Sequence, residues 1–217
     1  MSRVRLQRAR YEKQGIIKRH IYEHSALYIM LSIIFVISFV IGSVNATFIK
    51  EELKEESQNY ILEFVEYLKT QEIDNKILLR ESISANIKPI GYIMLFGLIF
   101  VGAPFILIYI GLYSYSIGYT VTSVISTLGI PRGMTFIFTM MLPQELILLP
   151  TIFAISVNAI LFSKIMMRIN NRNIDIKSEL IKYMIIFVIA ILITIGVSVF
   201  ETYIGSNFAK LAVQIIK

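Results

Sequence analysis

Long apolar runs separated by polar stretches dominate the chain, and several of them are long enough to cross a lipid bilayer. The first run covers residues 26–49, which meets the roughly 20 residues that a membrane-crossing helix needs. Residues 89–130 are too long for one crossing and suit two crossings joined by a tight turn. Two more runs cover residues 143–167 and 183–200. The pattern predicts an all-α, polytopic transmembrane helix bundle of about five spans.

Turn residues predict where the apolar runs break. Between the second and third spans we expect the turn near Gly111–Ser114, with Gly102–Pro104 as an alternative bend, because proline removes a helical hydrogen bond. Residues 134–142 follow the turn-rich Gly129–Gly133 and are too short to cross, so they are predicted to lie at the interface or to re-enter the membrane. Pro143 suits the first turn of a new helix.

The basic residues predict the orientation. With two crossings inside residues 89–130, the basic N-terminus and the basic stretch from Arg168 to Lys182 fall on one side, which the positive-inside rule makes cytoplasmic. The C-terminus is then extracytoplasmic. The predicted segments are a basic cytoplasmic N-terminal segment (1–25), a first transmembrane helix (26–49), an acidic extracytoplasmic amphipathic segment (50–88), a bundle of about four transmembrane helices (89–200) and a short extracytoplasmic tail (201–217).

A cleaved signal peptide is the competing interpretation of the first run, since Val44-Asn45-Ala46 loosely fits a cleavage site. The run is too long for a typical signal core, however. Ser38, Gly42 and Ala46 also recur at every fourth position, as in a helix that packs closely on another helix. We therefore predict a retained helix.

Composition agrees with a membrane protein: 56% of the residues are hydrophobic, 17% are charged and the mean hydropathy is +0.69. A soluble core of 217 residues could not bury so much apolar surface. Cysteine is absent, which excludes disulfides and thiolate chemistry. The net charge of +6 is concentrated in the N-terminal cluster and indicates a cytoplasmic flank rather than nucleic-acid binding.

The acidic segment contains one apolar stripe with helical spacing, formed by Ile61, Phe64, Val65 and Leu68. Such a stripe is typical of a helix that lies on the membrane surface or on the protein's own spans. The alternative is a docking face for a partner, which makes these four residues the candidate partner-binding site.

Polar groups in the apolar runs are the other candidates. Glu145 and Glu201 are predicted near the outer face, where a helix dipole and water would stabilise them, with a paired ion or proton site as the alternative. Asn45 and Asn158 are expected to form hydrogen bonds between helices. A stripe of small residues predicts close helix packing, with a homodimer seam as the alternative; its members are Ser114, Gly118, Thr122 and Ser126.

His20-Ile21-Tyr22-Glu23-His24 matches the H-x-x-E-H pattern of inverted zinc peptidases. A third ligand on a later helix is not evident, so we expect an interfacial helix and predict neither metal nor cofactor nor enzymatic activity.

Several short strings, in order and spacing, resemble the stage II sporulation protein M family: Glu23–Tyr28, Gly42–Asn45, Val101–Pro104, Gly118–Val121, Leu142–Glu145 and Pro150. The resemblance implies a membrane scaffold in endospore-forming bacteria that acts during engulfment. It implies a location at the mother-cell side of the septum and engulfing membrane, and it implies stage II sporulation proteins P and D, which degrade peptidoglycan, as partners. The alternative function is a small-solute or lipid transporter.

Overall fold

The computed structural model describes residues 16–70, 74–167 and 175–205, and the regular structure within them is helical throughout. The chain order is α1 Ile16–Glu23, α2 Ser25–Phe48, α3 Glu51–Thr70, α4 Asn75–Leu98, α5 Gly102–Leu128, α6 Ile130–Phe136, α7 Leu142–Met167 and α8 Ile176–Phe200, with π-helical segments Ile137–Met141 and Glu201–Gly205. The prediction of an all-α fold is confirmed.

Four helical stretches of the described chain are long and apolar enough to span a membrane: Ser25–Phe48, Gly102–Leu128, Ile130–Met167 and Ile176–Tyr203. The predicted count of about five therefore reduces to four by length and composition. The fifth helix of the bundle, α4, differs because four charged residues interrupt its first fourteen positions: Lys76, Arg80, Glu81 and Lys88. Only its last ten residues, Pro89–Leu98, carry no charged side chain.

Contacts between helices give their relative directions. Ser114 on α5 contacts Phe35 on α2, and Gly118 contacts Ser43 further along both helices, so α2 and α5 are parallel. By the same argument α7 is antiparallel to α5 and α8 is antiparallel to α4. We call the end of the bundle at which α2 begins the near end, and the opposite end the far end. The helix α4 runs from the far end to the near end.

Two predicted breaks are wrong. The helix α5 is continuous through Gly111–Ser114, and the turn lies at Ile99–Val101, beside the alternative bend. Ser163 of α7 fixes this turn, since its hydroxyl donates to the Ile99 carbonyl and accepts from the Gly102 amide at 3.1 and 3.0 Å. Residues 134–142 are not separated from the following span by a break either, because α6, the first π segment and α7 form one helical run of 38 residues.

The interior of the bundle is packed with aliphatic and aromatic side chains. The largest fully buried ones come from all five helices of the bundle and include Leu31, Ile90, Ile93, Ile106, Ile110, Ile155, Ile160 and Phe187. The outward faces are apolar too, as lipid requires; Ile37, Ile108 and Leu192 are more than half exposed. Grooves lined by charged side chains lie at the two ends of the bundle.

Small residues bring α2 and α5 into backbone contact. Gly42 of α2 lies against the Tyr115 backbone, and Gly118 of α5 lies against the Phe39 backbone. The Ser114 hydroxyl donates to the Phe35 carbonyl at 2.5 Å. Of the predicted packing stripe, Ser114 and Gly118 are buried in this contact, whereas Thr122 is half-buried and Ser126 is exposed.

Candidate functional site

A polar network at the far end links α4, α7 and α8. Glu201, in the π segment after α8, accepts hydrogen bonds from the Ser82 hydroxyl and from the Asn86 amide, both on α4. The Asn86 amide also donates to Ser198 at 3.1 Å. The side-chain amide of Gln144, at the start of α7, lies 2.8 Å from Asn86 Oδ1. In its flipped orientation its nitrogen donates to Glu201 Oε1 at 3.0 Å. Glu201 is thus held by α4 rather than simply reaching water.

Glu145 lies beside this network but is held differently. Its two carboxylate oxygens each lie 3.3 Å from the hydroxyl of Tyr113 on α5, the one hydrogen-bond donor to its side chain among the described residues. The helix continues upstream through Ile137–Met141, so Glu145 does not sit at a free helix N-terminus as predicted. The dipole argument for its stability is therefore wrong.

Both carboxylates line one groove of about 310 Å³ at the far end. The helix α3 forms its other side, with Tyr60, Ile61 and Phe64, and the first π segment adds Met140 and Met141. π-helical turns are rare and are often found at functional sites. Two of them lie beside these carboxylates, which makes the far end a candidate functional site.

The predicted stripe of α3 packs on the protein's own helices. Val65 is 4% exposed and contacts a cluster that contains Val124 and Phe136, while Ile61 is half-buried against the same cluster. Phe64 meets Phe136 edge to face and keeps 38% of its surface exposed. The side chain of Leu68 lies outside the described residues. The stripe therefore fixes α3 across the far end.

The outward side of α3 carries the acidic face that an amphipathic segment implies. It borders a second groove lined by Glu52, Glu55, Glu56, Asn59, Tyr60 and Glu63. Tyr60 is 72% exposed, has Glu56 and Glu63 as neighbours on the helix surface, and lines both far-end grooves. Tyrosine is enriched in protein–protein interfaces and among the residues that contribute most to binding, which makes Tyr60 a candidate anchor.

The two predicted asparagines have different roles. Asn45 of α2 donates to the hydroxyl of Tyr115 on α5, which is the expected bond between helices. Asn158 instead donates to the Ala154 carbonyl of its own helix at 2.8 Å, and it lines a groove at the near end together with His20 and His24.

His20 and His24 pack against each other, with ring centroids 4.8 Å apart. Burial lowers the pKa of His20, the neighbouring His24 lowers it further, and Glu23 acts in the opposite direction. Among the described residues, no group of three or more His, Cys, Asp or Glu side chains is placed to hold a metal ion.

These observations define the class of the protein: a multi-pass α-helical membrane protein with a packed interior and polar sites at both ends of its bundle. The family model for stage II sporulation protein M matches residues 31–206, which is most of the chain. The chain therefore belongs to the stage II sporulation protein M family and is a sporulation membrane protein. Comparison with curated proteins and with solved structures gives no significant match.

Proposed function

We propose that the protein is a membrane scaffold for sporulation engulfment. In this proposal it localises and holds the peptidoglycan-degrading partners, stage II sporulation proteins P and D, at the septal membrane, on the mother-cell side, and it has no catalytic activity of its own. Membership of the family supports the sporulation role. The observation that carries the scaffold role is the fixed position of α3, which Val65 anchors across the far end so that its acidic face points outward.

The proposal requires the far end to be extracytoplasmic, where the peptidoglycan lies. The positive-inside rule supports this orientation, because Arg19, Lys164 and Lys182 cluster at the near end. Labelling of single cysteines in intact cells tests it: Glu56 and Gln214 should be accessible from outside, and Gln14 and Asn171 should not. Labelling of Asn171 from outside would overturn the orientation.

The partner site is proposed to lie on the acidic face, with Tyr60 as its anchor and Phe64 at its edge. The original stripe of Ile61, Phe64, Val65 and Leu68 contributes to it mainly by holding α3 in place. A central aromatic side chain in an interface typically contributes about 2 kcal/mol or more, whereas the surrounding carboxylates mainly accelerate association with a basic partner surface. The same helix offers a matched control, since Leu62 is 50% exposed but lines neither groove.

Affinity purification from sporulating cells tests this site. The wild-type protein and Leu62→Ala should retain stage II sporulation proteins P and D, and Tyr60→Ala should retain about thirtyfold less, the factor that corresponds to 2 kcal/mol. Membrane levels of the three variants should be equal. Equal retention of the two partners by Tyr60→Ala and Leu62→Ala would show that the partner site does not lie on the acidic face.

Transport of a small solute or lipid is the second candidate, and the groove that holds Glu145 and Glu201 is the observation that favours it. Against it stands the packed middle of the bundle, where Ile93, Ile106 and Ile155 are almost fully buried. A proton or cation flux in proteoliposomes that Glu145→Gln abolishes would support the transporter. The absence of proton or cation flux with the wild-type protein would support the scaffold role.

A further inference from the structure

A groove of about 520 Å³ lies at the near end, between α1, α7 and α8. Its wall is apolar and is formed by Leu161, Phe162, Ile165, Tyr183 and Ile186. Its polar lining groups are His20, His24, Asn158, Lys164, Glu179 and Lys182. The groove therefore combines an apolar wall with a mostly basic rim.

The rim of the groove carries more basic than acidic side chains. Glu179 is the one acidic residue that lines the groove, and it already pairs with Lys182, whose Nζ lies 2.6 Å from the carboxylate. Lys164, in the last turn of α7, makes no ion pair or hydrogen bond through its side chain within the described part of the chain. The His20 Nε2 atom is buried and has no hydrogen-bond partner there. Lys164 is thus available to an acceptor, and His20 Nε2 is a buried polar atom that lacks one.

The rim also lies at the depth where the apolar spans begin. His24 immediately precedes α2, and Lys182 immediately precedes the apolar part of α8. This is the level of the lipid headgroups, where lysine side chains interact with phosphate and basic pockets between helices bind anionic lipids. An apolar wall that continues from the rim toward the bilayer interior suits an acyl chain.

We propose that the near-end groove binds an anionic phospholipid. Its phosphate accepts hydrogen bonds from Lys164 and from His20 Nε2, and one acyl chain lies against Phe162 and Ile186. The ligand chemistry is a phosphate diester, which a free phosphate compound shares in part. The apolar wall favours the lipid, because a soluble phosphate would leave that wall uncovered. The proposal is independent of the scaffold role and of the orientation of the protein.

Native mass spectrometry of the full chain in detergent, titrated with phosphatidylglycerol or phosphatidylcholine, tests the site. Phosphatidylglycerol should bind more tightly, and Lys164→Gln should weaken it about fivefold, as expected for one lysine at a lipid surface. Lys164→Arg should retain binding. The matched control is Lys177→Gln, an exposed lysine on α8 that does not line the groove and should leave the affinity unchanged.

Three results would overturn the proposal. The first is equal binding of the two lipids, which would show that the groove does not distinguish an anionic headgroup from a zwitterionic one. The second is equal behaviour of Lys164→Gln and Lys177→Gln, which would place the lipid elsewhere. The third is displacement of phosphatidylglycerol by glycerol phosphate at similar concentration, which would assign the groove to soluble phosphates. Because Lys164 is exposed, its replacement leaves the helix core intact, and a symmetric size-exclusion peak verifies this.

Discussion

The contact between α2 and α5 gives the most quantitative prediction of the structure. A Cβ atom added at Gly42 would overlap the backbone carbonyl of Tyr115, and one added at Gly118 would overlap the backbone carbonyl of Phe39. Neither neighbour can rotate away, since both are main-chain atoms inside helices. Either Gly42→Ala or Gly118→Ala must therefore push the two helices apart.

Helix separation would weaken the bonds that depend on this approach, including the one from the Ser43 hydroxyl to the Gly118 carbonyl at 3.2 Å. Overpacking of this kind typically costs about 1–3 kcal/mol. For a protein of this size each kcal/mol corresponds to a Tm change of roughly 2–4 °C, so Gly42→Ala should lower the Tm by about 2–12 °C. In Gly42→Ala/Gly118→Ala the loss should be less than additive, because one displacement of α2 relieves both clashes.

Gly91→Ala and Gly196→Ala are the matched controls, since a Cβ at either position meets no atom within 4 Å. They should leave the Tm unchanged or raise it slightly, because alanine favours helix more than glycine does. Thermal unfolding of the four purified single variants in one detergent is the assay. A Tm for Gly42→Ala equal to that for Gly91→Ala would refute the close parallel packing of α2 and α5.

Two further predictions concern the ends of the bundle. Glu201→Ala should lower the free energy of unfolding by about 1–3 kcal/mol, because the Ser82 hydroxyl and the Asn86 amide lose their acceptor. Glu201→Gln keeps an acceptor oxygen and should lower it less. Equal losses for the two variants in denaturant titrations would argue against the network. The affinity for phosphatidylglycerol should rise as the pH falls from about 7.5 to 5.5, because the lowered pKa keeps His20 uncharged near neutral pH and a bound phosphate favours the protonated ring. The double variant His20→Gln/His24→Gln should lose most of this rise in affinity. An unchanged pH profile in that variant would show that the two rings do not cause the rise. The other titratable or charged groups around the rings are Glu23, Tyr28, Lys164, Glu179, Lys182 and Tyr183.

Hydropathy predicted the helical class and most of the spans because lipid requires long apolar helices. It misplaced the turn between the second and third spans, since residues on both sides of every candidate turn are apolar. What fixes the turn is Ser163, which lies more than sixty residues later in the chain. Contacts of this kind cannot be deduced from a local pattern.

The carboxylates at the far end were identified from the sequence, but their network was not. Asn86 and Ser82 belong to a segment predicted to lie outside the membrane, because Arg80 and Lys88 interrupt its hydropathy. The structure places the last part of that segment, from Asn75 onward, in α4, where Ser82 is buried against the other helices. A clue was available, since Asn86 lies four residues after Ser82 and so on the same face of a helix.

The amphipathic stripe of α3 was also identified correctly as a stripe, but periodicity does not reveal what covers an apolar face. Its burial on Phe136 turns the opposite, acidic face toward the outside, and that face contains Tyr60. The sequence gives no helical apolar pattern around Tyr60 that would have singled it out.

The scaffold proposal is tested most directly by following fluorescently labelled stage II sporulation protein P in sporulating cells. Deletion of the stage II sporulation protein M family member should disperse the label from the septum. Expression of the wild-type chain or of Leu62→Ala should restore the septal position of the label. Tyr60→Ala, present in the membrane at the same level, should leave the label dispersed. A label that stays at the septum in the deletion strain would contradict the scaffold role itself.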